Sequence, residues 1–306
     1  MNCSKCSKPA VTLIRYSGQH LCAGHFLDFT EKRVRRELRR QLDLDKRITV
    51  AVGLSGGKDS SVTTYLLSSI LRKRPTVEIM AITADEGIAN YRPGGVEASR
   101  ELCRSLDIPH HVVSYKEELG WTMDRVVETD PKTIPCSYCG VFRRYVLNKK
   151  ARELKADYVA TGLNLDDTAQ SVLMNVARGD MERMARLGPH DRVQEDMIPR
   201  LQPLRLVPEK ESYLYAMLRG VQFHDATCPY SERAVRGLFR DVLSRLESEI
   251  PGTRHSILSS FDQMRPWLDR QFSVSKVRKC RTCGEPTINV ECKACELVDK
   301  LEAMVT

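Results

Sequence analysis

No stretch of this 306-residue chain stays apolar over the length that a membrane span requires, so a transmembrane protein is not expected. The first residues, Met1-Asn2-Cys3-Ser4-Lys5-Cys6, lack the apolar core of a secretion signal, which argues against export and sets the expectation of a cytoplasmic protein. No low-complexity segment and no internal repeat stands out, apart from a recurring paired-cysteine device. The Walker pattern, glycine followed by four residues and then Gly-Lys-Ser/Thr, is missing too, although a glycine–lysine run is present. Any phosphate loop here is therefore of another kind.

Cysteine is abundant, with eleven residues in a chain that carries no export signal. That combination argues against disulfides and for metal or redox chemistry. Four Cys-x-x-Cys pairs and one Cys-x-x-His pair take up nine of the eleven, leaving Cys103 and Cys228. Cys103 lies on the apolar side of a predicted helix and reads as a buried core residue. The formal net charge is +8, which is weak support for a polyanionic partner until its distribution is considered.

The chain is organised around Ser55-Gly56-Gly57-Lys58-Asp59-Ser60. An apolar run, Ile48 to Leu54, precedes it, and a helix-like segment from Val62 to Leu71 follows. A strand, a tight glycine turn and a helix start offer free backbone N–H groups and a partial positive charge to an anion. The run resembles the Ser-Gly-Gly-x-Asp-Ser signature of the pyrophosphate-loop ATPases, which split ATP between the α and β phosphates. That resemblance implies an ATP cradle of Gly53, Leu54, Ser55, Gly56, Gly57, Lys58, Asp59 and Ser60.

On the N-terminal side of this loop, Cys3-x-x-Cys6 and Cys22-x-x-His25 are separated by a hairpin-length spacer. The spacing predicts a tetrahedral zinc site, with a strand over residues 11–16 and a turn at Ser17-Gly18. Six of the ten residues from Glu31 to Arg40 are basic, and Phe26, Phe29, Val34, Leu38 and Leu42 recur at helical spacing. The expected helix therefore has an apolar stripe and a basic face of Lys32, Arg33, Arg35, Arg36, Arg39 and Arg40, a candidate contact for the RNA backbone. At the other end of the chain, Cys280-x-x-Cys283 and Cys292-x-x-Cys295 predict a second, four-thiolate zinc ribbon. Arg278, Lys279 and Arg281 flank that ribbon.

Between the two zinc modules, strands are predicted at Ile48–Leu54, Val77–Ala84, His110–Tyr115 and Asp157–Thr161. Helices are predicted at Ser60–Arg72, Val96–Leu106, Gly120–Thr129, Phe142–Leu154 and Asp167–Arg178. The alternation implies an α/β domain with a parallel sheet, whose ligands sit at the carboxyl ends of the strands. Asp85, Gly162 and Asp167 follow such strands and join the candidate ATP site, with Asp59 and Asp167 as the carboxylates chosen for Mg²⁺. The plainer alternative for Asp166 and Asp167 is a helix cap with an acidic first turn, in which one of the two caps while the other serves ATP. The arginines 178, 183, 186, 192, 200 and 205 fit either a substrate channel or a solvated surface. A helix is expected from Val207 through Leu218. Residues 231–275 read as helical, with Leu238, Val242, Leu243 and Leu246 as one apolar stripe. The implied division is a zinc finger over 1–30, a basic linker helix over 31–46, a catalytic domain over 47–230, a helical extension over 231–275 and a zinc ribbon over 276–306.

Cys136 and Cys139 form a pair just before the predicted Phe142 helix with Arg143 and Arg144, and Cys228 is the lone cysteine farther on. Three thiols at one site suit a [4Fe–4S] cluster with one open iron, a persulfide pair with a helper, or a zinc site completed by His224. The residues alone leave all three open.

Taken together, zinc knuckle, pyrophosphate loop, Cys-x-x-Cys with a distant cysteine, and C-terminal ribbon resemble the tRNA 2-thiouridine synthetases (tRNA uridine 2-sulfurtransferases) over essentially the full length. The segments Cys136-Ser-Tyr-Cys139-Gly-Val-Phe-Arg-Arg-Tyr145 and Thr161-Gly-Leu-Asn-Leu-Asp-Asp167 carry the resemblance. Leu163 and Arg143 depart from the His and Lys found in some relatives. The resemblance implies adenylation of a uridine C2 oxygen, then displacement of AMP by sulfur, with Cys136, Cys139 and Cys228 holding a [4Fe–4S] cluster. It gives Asp59 and Asp167 the placing of Mg²⁺ or water, and Lys58 and Arg143 the offsetting of phosphate charge. It also implies tRNA as partner, a ubiquitin-like thiocarboxylate carrier or sulfide as sulfur donor, two zinc ions and a homodimer. The reading leans to the wobble uridine over the T-loop uridine. A different adenylating enzyme and a non-catalytic zinc-ribbon RNA-binding protein are the readings from other classes.

Overall fold

The computed structural model describes residues 1–306 except 190–196, 232–234, 273–276 and 306. In chain order, β1 (Thr12–Ile14) and β2 (Gln19–Leu21) form an antiparallel hairpin, and α1 (Ala23–Gln41) follows directly. The central domain comprises β3 (Ile48–Gly53), α2 (Lys58–Leu71), β4 (Val77–Asp85), α3 (Arg92–Leu106), β5 (His110–Ser114), α4 (Tyr115–Leu119), α5 (Met123–Thr129), α6 (Pro135–Glu153), β6 (Tyr158–Ala160), α7 (Leu165–Arg178), α8 (Met181–Ala185), β7 (Arg200–Leu201) and α9 (Glu209–Arg219). Two helices, α10 (Arg236–Glu249) and α11 (Thr253–Gln271), lead to β8 (Arg278–Lys279), β9 (Pro286–Thr287) and α12 (Lys293–Val305).

The central sheet has the order β5-β4-β3-β6-β7, every pair parallel, which bears out the expected α/β class. Its register runs from Ile48 opposite Val77 to Gly53 opposite Ile82. Alternate residues of β3 serve opposite faces, as a two-residue period demands. Val50 and Val52 join the core built with Leu66, Leu67 and Phe26, whereas Ala51 joins the one built with Tyr115, Phe142 and Val146. All four predicted strands are present, and the two-residue β7 is an addition at the sheet edge.

Helix α1 spans the 30/31 boundary, so knuckle and basic helix are one continuous piece. The helix predicted over Gly120–Thr129 starts later, at Met123, because Gly120 closes the preceding α4 in the left-handed region at φ 74°. Thr122 then caps α5. The stripe expected on residues 231–275 is corrected. Leu243 is buried, but Leu238, Val242 and Leu246 are 66%, 46% and 39% exposed, because α10 meets α7 and α11 on one side only. Neither zinc module is free-standing. The knuckle shares the core of Phe26 and Leu66, and the C-terminal cysteines share the core of Phe142. Among the described residues, no helix is long and apolar enough to cross a membrane.

Candidate active site

The loop after β3 closes on itself before it meets any ligand. Ser55 N–H donates to Ser60 Oγ at 3.1 Å, Ser60 Oγ–H donates to the Gly57 carbonyl at 2.9 Å, and Gly57 N–H donates to Ser55 Oγ at 3.3 Å. Gly57 caps α2 with no side-chain hydrogen bond, which leaves the helix start as a donor surface for an anion. Gly56 sits at φ 81°, and its carbonyl accepts from His224 N–H at 2.8 Å. A Cβ on Gly162 would lie 2.7 Å from Ser60 N, so the segment after β6 presses its backbone against the loop. Lys58 Nζ lies 3.3 Å from both Asp59 and Glu209. Asp85, at the end of β4, accepts from Gly87 N–H at 2.9 Å and fixes the turn there.

Asp59, Asn164, Asp166, Asp167, Gln170, Glu209, Arg236 and Arg240 line a cavity of about 120 Å³. The cap of α7 is Asn164, so the reading of Asp166 or Asp167 as the cap itself is corrected, although both do lie in the acidic first turn. Asp167 completes the capping box from the third helical position by accepting from Asn164 N–H, and it also accepts from Arg236 at 2.9 Å. Asp166 accepts from Glu209 N–H at 2.8 Å and pairs with Arg254 at 2.6 Å, so it ties α9 and α11 to α7. Burial holds the Asp59 and Asp167 carboxyls above the ordinary value, against the pull of Lys58 on one and Arg236 on the other. Both carboxyls line one small cavity, and Asp59 Oδ1 is buried with no hydrogen-bond partner among the described residues, so two oxygen donors of the type a hard divalent cation takes are in place. The wider groove of about 550 Å³ lined by Arg178, Asp180 and Phe272 touches none of these residues.

Cys136 and Cys139 do not precede a helix; they form its opening turns. α6 begins at Pro135, with proline at the first helical positions, where its missing N–H is no loss. Cys136 is exposed, and Cys139 and Cys228 are half-buried. Burial pushes the Cys139 and Cys228 thiols up, and neighbouring Cys136 adds to the rise at each. Arg143 NH2 lies 3.2 Å from Cys139 Sγ and offsets that charge. This donor set, soft thiolates beside a guanidinium, fits an iron–sulfur cluster. His224 packs against Tyr91 and Gly94. Among the described residues, no three of Cys136, Cys139, Cys228 and His224 bring their ligand atoms within 4.8 Å of one another, as both sets read as zinc sites do. Glu86, which sequence reasoning passed over for Asp85, is 2% exposed and pairs with Arg92 at 2.7 Å and Arg143 at 2.7 Å.

Both zinc sites assemble. A Zn–S bond of about 2.3 Å in a tetrahedron places thiolates about 3.8 Å apart. Cys6 and Cys22 are 3.8 Å apart, and Cys3 and Cys22 stand 3.3 and 3.4 Å from His25 Nδ1. Cys283 lies 3.6 Å from Cys292, and Cys280 lies 4.0 Å from Cys295. The cysteine–histidine set and the four-cysteine set each converge on a point that can hold one ion. Cys103 is 2% exposed in the core, as expected.

On α1, Arg33 turns inward to Glu211, Tyr16 and the Leu206 carbonyl, so the outer basic face lacks it. Lys32 pairs with Asp28, Arg35 with Glu31 and Arg40 with Glu37. Arg36 and Arg39 are exposed and carry no ion pair among the described residues. Of the arginines read as a channel, Arg205 is buried against Asp262, Arg183 and Arg186 pair with Asp180 and Glu182, and Arg200 donates to Asn148. Arg192 lies outside the described residues.

A parallel sheet with a glycine-rich phosphate loop after its central strand, a charge line from that loop to Cys139, and two converging cysteine metal sets define the class: a PP-loop protein with thiol and metal chemistry attached. The PP-loop domain family matches residues 30–246, and the family described as 2-thiouridine synthetase TtuA, N-terminal LIM domain, matches residues 2–27. The tRNA 2-thiolation protein NcsA of Haloferax volcanii is 41% identical over 99% of this chain and 100% of its own length. The tRNA-5-methyluridine(54) 2-sulfurtransferase of Pyrococcus horikoshii is 32% identical over 97% of this chain and 93% of its own. The structure of the U34-tRNA thiolase NcsA of Methanococcus maripaludis with its [4Fe–4S] cluster superposes with a TM-score of 0.86 at 34% identity, covering 98% of this chain and 96% of that one. This chain belongs to the PP-loop family of NcsA- and TtuA-type tRNA 2-thiolation proteins.

Proposed function

We infer that this chain is an ATP-dependent tRNA uridine 2-sulfurtransferase. The observation that carries the reading is a pyrophosphate loop after the central strand β3, joined through Arg92, Glu86 and Arg143 to Cys139, in a chain similar over 99% of its length to a tRNA 2-thiolation protein. ATP docks with its pyrophosphate on residues 53–60. The uridine C2 oxygen attacks the α-phosphate, pyrophosphate leaves, and the oxygen becomes part of an AMP leaving group. Sulfur then adds at C2, and AMP departs with that oxygen. Lys58 and the α2 helix start offset the pyrophosphate charge, and Arg143 acts on the thiol side. Asp59 and Asp167 would hold Mg²⁺ against the phosphates. Cys136, Cys139 and Cys228 would hold a [4Fe–4S] cluster, which supplies an open iron for sulfide when bound. Cys3, Cys6, Cys22 and His25 take one zinc, and Cys280, Cys283, Cys292 and Cys295 take the other. The target base leaves its stack to reach the crevice.

The target is proposed as uridine 34, the wobble position, in line with the similar U34-tRNA thiolase; the relative acting on uridine 54 supports the T-loop as the second reading. The sulfur donor is proposed as a thiocarboxylated ubiquitin-like carrier or sulfide, the assembly as a homodimer and the location as cytoplasmic. Nucleoside mass spectrometry with position mapping, after reaction of tRNA with ATP, Mg²⁺ and sulfide, tests activity and target at once. Pyrophosphate release without any thiolated uridine would overturn the assignment.

Two further outcomes are expected. Asp59→Asn lowers the thiolation rate by about 10²–10³-fold, the usual value of one positioned electrostatic group, yet melts higher than the wild type at neutral pH. The sign follows from the raised carboxyl. Between the ordinary carboxylate value and the raised one, the folded chain binds more protons than the unfolded one, so stability falls as pH rises through that window. Asparagine removes that loss. Thermal melts at two pH values check the sign, and a lower melting point at neutral pH contradicts it. On α1, reversing Arg36 and Arg39 to Glu weakens tRNA binding and lowers the slope of log affinity against log salt by about 1 for each phosphate contact removed. Arg33→Glu instead destabilises the fold, because it buries like charge beside Glu211. An unchanged salt slope reduces the basic face to a solvated surface.

A further inference from the structure

A line of charged side chains, buried at Arg92 and Glu86 and half exposed at Arg143, runs from the nucleotide loop to Cys139. The Ser55 carbonyl accepts from Arg92 NH1 at 2.7 Å. Arg92 Nε pairs with Glu86 Oε2 at 2.7 Å, and the other Glu86 oxygen accepts from Arg143 Nε at 3.1 Å and NH2 at 2.7 Å. Arg143 NH2 reaches Cys139 Sγ at 3.2 Å. The Glu86 and Arg92 side chains are 3% and 4% exposed, so water cannot take over a contact that one of them loses. The loop end of the line is equally confined. Gly56 is packed against the Gly95 backbone near the start of α3, the helix that carries Arg92.

A shift of Ser55–Gly56 therefore either moves Arg92 or leaves a buried charge unpaired, and the unpaired charge is the costlier outcome. Moving Arg92 moves Glu86, and Glu86 holds the guanidinium that touches Cys139. We propose that Glu86 is a positioning residue that couples nucleotide on the Ser55–Ser60 loop to the setting of the Cys139 sulfur. It touches neither ATP nor base and acts through Arg92 on one side and Arg143 on the other. The sulfur step would then be tuned to the presence of nucleotide, which suits a reaction whose second half is wasted before adenylation. The inference rests on the reading that nucleotide occupies that loop.

The test uses full-length, reduced, iron-free protein, a non-hydrolysable ATP analogue with Mg²⁺, and iodoacetamide, with alkylation of Cys136 and Cys139 followed separately by mass spectrometry. In the wild type, the analogue changes the Cys139 rate by about fivefold or more, the low end of ordinary coupling between sites. In Glu86→Gln the analogue still binds, and its effect on Cys139 is lost. Arg92→Lys keeps the charge but not the planar fork, so it shows the same loss and decides the matter should Glu86→Gln not fold. A nucleotide effect that survives in a folded variant means direct shielding and overturns the proposal, as does a wild-type Cys139 that ignores bound nucleotide. Calorimetry on the wild type separates the two readings. No binding of the analogue sinks the functional assignment together with this inference, whereas binding without a Cys139 response sinks this inference alone.

Discussion

Gly56→Ala is expected to abolish nucleotide binding and thiolation while leaving most of the fold standing. Gly56 sits at φ 81°, a conformation that costs an L-residue about 1–2 kcal/mol. Conformation alone would be survivable. The larger obstacle is space, since a Cβ there would lie 2.7 Å from the Gly95 carbonyl carbon and 2.8 Å from Gly95 Cα. Both are backbone atoms near the start of α3, and no side-chain rotation relieves the overlap. α3 cannot back away freely, because Arg92 in its first turn is held by Glu86 and by the Ser55 carbonyl. The loop is the softer partner and gives way, which misplaces the Ser55–Ser60 donors. A displacement of about 1 Å at a positioned group costs about 10²-fold in rate, and here the whole anion cradle moves.

Gly179→Ala is the matched control. It has a similar φ of 67° at the end of α7, but a Cβ there meets nothing within 4 Å. Its cost is therefore strain alone, with nucleotide affinity unchanged. Calorimetric ATP affinity and tRNA-dependent pyrophosphate release, measured on both variants, separate crowding from strain. Wild-type affinity in Gly56→Ala would mean that the loop is not the nucleotide cradle.

What was legible in the sequence was whatever local pattern or spacing encodes. β3, the glycine turn and α2 were readable because a strand, a turn and a helix each leave a periodic or compositional mark within a few residues. Both zinc sets were readable because ligand pairs must lie close along the chain to turn around one ion. The start of α6 was hidden by Gly140, a weak helix former, although Pro135 marked the true first turn. β7 is two residues long and leaves no period to detect. The larger misses concern charge. Arg33 looks like its neighbours on a basic helix, and distant partners, above all Glu211, 178 residues away, with Tyr16 and the Leu206 carbonyl, turn it inward. Asp85 and Glu86 are adjacent carboxylates at a strand end, and burial between two arginines singles out the second. Leu238, Val242 and Leu246 have the spacing of a buried stripe, yet the packing of α10 covers only Leu243.

Removing zinc from the C-terminal site, by Cys292→Ser, is expected to unfold more than the tail and to stop thiolation while ATP binding persists. The ribbon consists of two 2-residue strands and one helix, far too little to bury a core of its own. Its folding energy is the metal's, about 10–16 kcal/mol for a structural zinc site, against about 5–15 kcal/mol for the net stability of a whole domain. The loss propagates because the module leans on α6. Cys280, Cys292, Cys295 and Leu301 share one apolar cluster with Tyr138, Phe142 and Val146, and Lys300 donates to Asp130 at 2.7 Å and to the Tyr138 hydroxyl at 3.0 Å. α6 is the helix that carries Cys136, Cys139 and Arg143, so uncovering its outer face loosens the thiol site. The ATP loop belongs to β3 and α2, and α2 packs into the opposite core with Phe26 and Leu66. The two halves of the chemistry should therefore separate: zinc falls from two ions to one, hydrogen exchange rises along 135–153, nucleotide affinity is kept and thiolated product disappears. Unchanged exchange along α6 in the one-zinc protein would show the ribbon to be a passenger, and its part in the reaction would then have to be sought on its exposed basic strand, Arg278–Lys279, at the tRNA surface.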